Sequence, residues 1–280
     1  LHGTFASKRP TNVSFVPGPS PPSPRARVEA FFDPLLARDS GGGSWLPALL
    51  AATPHGRERL GELVDDPGWL EVILSVATAD GPRGAFTYPA LPTRELLAWY
   101  VDHPEALARP QETGLTVEAT RLHQALFDDD PPGTRSRAQE RARELLGRAN
   151  SGAPAWWRFE QAGTLHGALI TDRLVLTVLG AGPDGIGAAT PWFPQRSELV
   201  RDLEGARRLA DGAKSWATVL ISDETLAEGT DAAVAAAIAT GAPHLDAPGR
   251  AELQRAYLGN LTWAQAAAAS SPPLDAPPAP

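Results

Sequence analysis

Two apolar, β-prone stretches are joined by so little chain that they can pair in only one way. They are TLHGALIT over Thr164–Thr171 and RLVLTVL over Arg173–Leu179, with Asp172-Arg173 as the joint. Parallel neighbours need a crossover of about a dozen residues, so these two are expected antiparallel, as a hairpin. A helical pattern follows, PQRSELVRDLEGARRLA, with Pro194 at its start and Gly212 past its end. Next comes a third β-prone stretch, WATVLIS over Trp216–Ser222, expected in the same sheet. Ala232–Ala239 and the stretch from Arg250 to Tyr257 read as further helices.

The first half has a different texture. VEAFFDPLLA, LPALLAAT, TRELLAWYVDHPEALA and VEATRLHQALFDD place apolar residues at helical spacing, and Thr93 is a plausible N-cap. Asp128-Asp-Asp-Pro-Pro-Gly breaks the pattern; its two prolines keep the carboxylates off one helix face, which favours a linker over a metal site. TRSRAQERARELLGR then opens a strong helix at Thr134. The expected division is a Pro-rich arm over 1–27, a helical region over 28–131, an α/β core over 132–265 and a Pro/Ala-rich tail over 266–280, an α+β fold.

Composition narrows the chemistry. The 280 residues include no Cys, which removes disulfides, thiolate zinc sites and a Cys nucleophile. The net charge of −8 removes a global basic field for nucleic acid. No apolar run approaches the ~18–20 residues that span a bilayer. The opening LHGTFASKRP holds no apolar run of signal-peptide type, so a cytoplasmic protein with no membrane partner is expected.

Three stretches in this order, WWRFEQAGTLHGALITDRLVLTVLGA, TPWFPQRSELVRDLEGARRLA and WATVLIS, resemble a divergent member of the PD-(D/E)XK nuclease superfamily. The resemblance implies an opening helix, a β-hairpin, a helix bearing Gln or Arg beside the site, and a further strand. It also implies an acid near one strand and an acid-x-lysine on the next, which together hold Mg²⁺ and position the attacking water. Here those positions fall on His166, Leu179 and Ala181, and none matches. The expectation is therefore a nucleic-acid-associated protein whose metal-dependent cleavage is lost or severely impaired, with no cofactor. A migrated site would draw on Asp172, Asp184 and Lys214 with Mg²⁺. Arg137, Arg141, Gln195, Arg196 and Arg201 are the candidates for contacting DNA or RNA, although neighbouring acids such as Glu140, Glu144, Glu198 and Glu204 offset much of their field. His166 reads as ligand, base or structural residue, and Trp156, Trp157 and Trp192 as base-stacking or packing groups.

Two further classes stay open. Gly180-Ala181-Gly182-Pro183-Asp184-Gly185 fits the G-x-G-x-x-G of a dinucleotide-binding turn, with Gly180, Gly182 and Gly185 approaching NAD or a similar cofactor. Against it, Pro191 and Pro194 interrupt the segment where the crossover helix should run, and the acid that ends the next strand, Asp223, lies 43 positions past Gly180 rather than ~20. The third class is a non-catalytic module that binds a protein partner through the helical half.

Overall fold

The computed structural model describes residues 23–38, 45–63, 89–90, 92–109, 115–147, 156–160, 163–170, 174–181, 186, 189–226 and 230–270. The fold is α+β. Helices α1 (Pro24–Arg38), α2 (Trp45–Ala52) and α3 (Gly56–Leu63) come first, then the short strand β1 (Pro89–Ala90). Helices α4 (Arg94–Asp102), α5 (Val117–Asp128) and α6 (Thr134–Leu146) follow. The second half runs β2 (Gly163–Thr164), β3 (Gly167–Ile170), β4 (Leu174–Gly180), α7 (Glu198–Ala210), β5 (Ser215–Ser222), α8 (Thr230–Gly241), α9 (Ala247–Ala256), β6 (Tyr257–Thr262) and α10 (Trp263–Ser270).

The hairpin forms as its short joint requires. β3 and β4 are antiparallel, from Gly167 opposite Val178 to Ile170 opposite Val175. β5 joins β4 in parallel, from Leu174 opposite Ser215 to Gly180 opposite Ile221, after the crossover through α7. β6 then pairs parallel to β5, giving the order β3-β4-β5-β6. β1 and β2 form a separate two-stranded pair.

β4 is buried along its whole length, and its side chains alternate between two apolar layers. Leu174, Leu176 and Val178 meet Val28 and Phe32 of α1, Leu46, Leu49 and Leu50 of α2, and Ala266 of α10. Leu179 and Ala181 meet Leu199, Val200 and Leu203 of α7 with Val234 and Ile238 of α8. Between the two central strands the buried hydroxyls of Thr177 and Thr218 bond each other at 2.7 Å.

Several boundaries differ from the sequence expectation, each for a packing reason. The helical half splits in two. Its first helices carry apolar stripes that the sheet covers, so they belong to the α/β core. α4, α5 and α6 instead gather around Tyr100, Leu126, Ala138 and Ala142 with Trp156, Trp157, Phe159 and Phe193. The expected division at 131/132 thus runs through one apolar cluster. The chain expected as a tail from Ala266 continues in α10 to Ser270, with both residues buried. Likewise Pro24–Arg27, expected in the arm, are the first turn of α1.

Caps set the helix starts. α7 begins not at Pro194 but at Glu198, where the Ser197 hydroxyl accepts from the Val200 N–H at 3.4 Å. At α6 the capping group is Asp129, whose Oδ1 accepts from the N–H groups of Gly133 (3.0 Å) and Arg135 (2.9 Å). This gives one of the three acids of the Pro-rich break a local structural task. β6 replaces the end of the helix expected from Arg250. At its Gly259, φ is +103° and an added Cβ would lie 2.6 Å from Pro54.

Candidate functional site

The positions that the nuclease resemblance assigns to an acid, a second acid and a lysine come close together, but their chemistry is apolar and closed. His166 just precedes β3, and its Nδ1 accepts the Gly180 N–H at 3.2 Å. Burial holds its imidazole below the ordinary 6.5, against the opposing pull of Glu198. Leu179 and Ala181 lie two apart on β4 and so share a face, which is the face sealed by α7 and α8. They are 1 % and 3 % exposed.

Lys214 precedes β5 at the Leu174 end of the parallel pair, whereas Gly180 stands at the other end, opposite Ile221. Six residues of strand, roughly 20 Å at ~3.3 Å each, separate those ends. The lysine is therefore far from Ala181. Asp172 and Asp184 lie outside the described residues, as do Gly182 and Gly185. Among the described residues no three His, Asp or Glu side chains gather as a group able to hold a metal ion. Gly180 has a packing role: an added Cβ would meet the Pro24 carbonyl oxygen at 2.7 Å and Val28 at 3.1 Å, where α1 crosses β4.

The arginine candidates separate sharply by environment. Arg137, Arg141 and Gln195 are exposed, with Arg141 paired to Glu144 at 2.6 Å. Arg137 lines a 660 Å³ groove between α5 and α6 with Arg121, Gln124, Thr134, Glu118 and Asp130. Arg196 and Arg201, expected on a nucleic-acid surface, are instead turned into the protein. Arg196 is 1 % exposed. Trp156 and Trp157 are buried in the helical cluster, which withdraws them from base stacking, while Trp192 is half-buried beneath Arg201, with the guanidinium 5.5 Å from its ring.

What those two arginines reach is the most concentrated charged group in the described structure. Glu160 accepts from the Tyr100 hydroxyl at 2.9 Å and from Arg201 Nε at 3.1 Å, and its carboxylate lies 3.0 Å from Arg196 Nε. Arg196 also donates to the Gly241 carbonyl at 3.0 Å and pairs with Glu204. His244 Nε2 stands 2.7 Å from the other oxygen of Glu204. Burial and the Glu160 carboxylate push the Tyr100 phenol far above its ordinary value, keeping it a donor. Burial would lower Arg196, but Glu204 and Glu160 outweigh it and hold the guanidinium charged. Two carboxylates thus offset two guanidiniums inside a water-poor junction.

That junction joins α4, the 156–160 segment, the start of α7 and the α8–α9 connection. Chemically it is a fastening. Its carboxylates and guanidiniums face one another, so the cluster ties these elements together. From the sequence Glu160 reads only as a carboxylate near the nuclease-like positions and Tyr100 as a core aromatic, while nothing in it marks His244. Glu160 lies 36 residues before Arg196 and 60 after Tyr100, and no short motif links them.

Among the described residues no helix is long and apolar enough to cross a membrane. No model of a known family, no curated protein and no solved structure matches this chain.

Proposed function

We propose that this chain is a nucleic-acid-associated protein built on a nuclease-like core, with metal-dependent cleavage lost or severely impaired. One observation carries the reading. The chain has the hairpin, then a helix, then a further strand, in the order the resemblance implies, yet the two positions of the acid-x-lysine pair carry Leu179 and Ala181 packed into an apolar layer. A leucine offers no oxygen to a hard cation and an alanine no charge to an attacking water. Such groups act as a unit, so their joint replacement removes the chemistry and not merely part of the rate.

Association then falls to the surface. Arg137, Arg141 and Gln195 remain accessible, and the groove beside Arg137 offers a second guanidinium, Arg121, set among the acids Glu118, Asp128 and Asp130. With a net charge of −8, binding through so few cations is weak and falls with salt by a slope set by the few phosphates they neutralise. The test has two arms. Incubation with single- and double-stranded DNA and RNA plus Mg²⁺ or Mn²⁺ should give no cleavage above background. Fluorescence anisotropy at low salt should show binding that Arg137→Glu with Arg141→Glu weakens. Cleavage by the parent protein overturns the first half of the reading; binding indifferent to salt and to the double variant overturns the second.

A further inference from the structure

Helix α7 carries a second buried acid whose situation is the opposite of Glu204. Asp202 is 4 % exposed, and its Oδ2 has no hydrogen-bond partner. Among the described residues the charges acting on it are Glu198, one helical turn earlier, and its neighbour Arg201. Arg201 is already engaged, with Nε on Glu160 at 3.1 Å. Glu198, Asp202 and Leu209 fall on one stripe of the helix, four and seven residues apart. Leu209 packs on Leu165, Ala168 and Ile170 of the β3 segment, and Glu198 acts on His166 just before that strand. Asp202 shares that stripe one turn before Ala206, which packs on Val175 of β4, so it is buried where α7 rests on the sheet. An isolated carboxylate in such a place is neutralised rather than tolerated.

We propose that Asp202 is carried as the neutral acid and serves as a proton-operated latch between α7 and the sheet. With the proton on, the carboxyl fits the dry interface. When the proton leaves to solvent, the carboxylate finds Glu198 one turn away and Arg201 already shared with Glu160, and α7 loosens on its seat. Burial, then Glu198, raises the Asp202 carboxyl well above its ordinary 3.8. The folded state thus holds this proton more tightly than the unfolded chain. Stability from this group is full near the ordinary value and is lost as pH climbs through the raised one. His166 works in the other direction. Burial lowers its value from 6.5 against the pull of Glu198, with Arg25 and Glu29 of α1 acting more weakly, so acid charges it and weakens the same side of α7 from below.

The experiment compares wild type with Asp202→Asn, which keeps the shape and removes the charge, in urea titrations from pH 5 to 9. The folding constant of the variant relative to wild type should grow with pH, by up to tenfold per pH unit until Asp202 is fully ionised. Hydrogen exchange in α7, corrected for intrinsic rates, should rise over the same range in wild type alone. A ratio that does not change with pH, or a variant less stable than wild type throughout, overturns the proposal. Should the variant fail to fold, carboxyl ¹³C titration of the wild type decides. One aspartate still protonated above pH 6 supports the latch, and all aspartates titrating in the ordinary range refute it.

Discussion

Removing Glu160 should be among the most damaging single changes this protein can suffer. Its carboxylate accepts from the Tyr100 hydroxyl and Arg201 and faces Arg196 at 3.0 Å, while the Arg196 side chain is only 2 % exposed. Glu160→Ala leaves Arg196 buried with Glu204 as its remaining carboxylate, leaves Arg201 with the Trp192 ring, and orphans a buried phenol. Breaking a buried pair by deleting one partner costs roughly 3–5 kcal/mol. At about 2–4 °C per kcal/mol for a domain of this class, that is a fall of roughly 6–20 °C in Tm. Glu160→Gln keeps an acceptor oxygen but loses the charge, and should cost about 1.5–3 kcal/mol. Urea unfolding followed by fluorescence suits the question, because Trp99, Trp156, Trp157 and Trp192 belong to or border the adjoining cluster. The decisive comparison is a double-mutant cycle with Arg196→Met. Glu160→Met and Arg196→Met each strand a charge, whereas together they leave an apolar pair beside Glu204 and His244. The double variant should therefore be more stable than the sum of the singles implies, by about 0.5–3 kcal/mol. A Glu160→Ala cost under about 1 kcal/mol, or strictly additive singles, would refute the view that this junction is dry and mutually dependent.

Three further outcomes follow from the same geometry. Leu179→Glu with Ala181→Lys, even with His166→Asp added, should destabilise the chain by at least ~2–5 kcal/mol, the range for losing a core leucine alone. Melting with and without Mn²⁺ checks this, and a clear metal-dependent rise in Tm would show that those side chains reach an open site. Gly180→Ala should cost about 1–3 kcal/mol by overpacking, because the new methyl would meet the Pro24 carbonyl at 2.7 Å; an unchanged urea midpoint would count against the close approach of α1 to β4. Burial alone would raise the Glu204 carboxyl, but Arg196 and His244 outweigh it and hold it below the ordinary 4.5. Its contribution is thus full above pH ~4.5 and lost as pH falls through the lower folded value. Acid melts should decline in that window, and Glu204→Gln, though less stable at neutral pH, should decline less; equal slopes would contradict the assignment.

Much of the fold was legible because it is local. A two-residue joint between apolar stretches leaves antiparallel pairing as the geometric option, and β3 and β4 pair that way. The Thr93 hydroxyl caps α4 by accepting from the Leu96 N–H at 3.1 Å, a bond made within four residues. β6 escaped notice for the complementary reason. YLGNLT follows α9 directly, with no turn to announce a strand, and its extended backbone is satisfied by β5, some 40 positions earlier in the chain.

By itself the sequence determined the chemistry at each position. Leu179 and Ala181 cannot ligate or position anything wherever they point, and a chain without Cys makes no thiolate site. It also determined the periodicities from which helices and strands arise. Tertiary structure alone decided which charges meet water. Arg137 and Arg196 look equivalent in the one-dimensional pattern, yet one lines an open groove and the other is sealed between Glu160 and Glu204. Periodicity is a property of a few consecutive residues. The free energy of a charge depends on the dielectric around it and on partners that folding brings from 36 and more residues away.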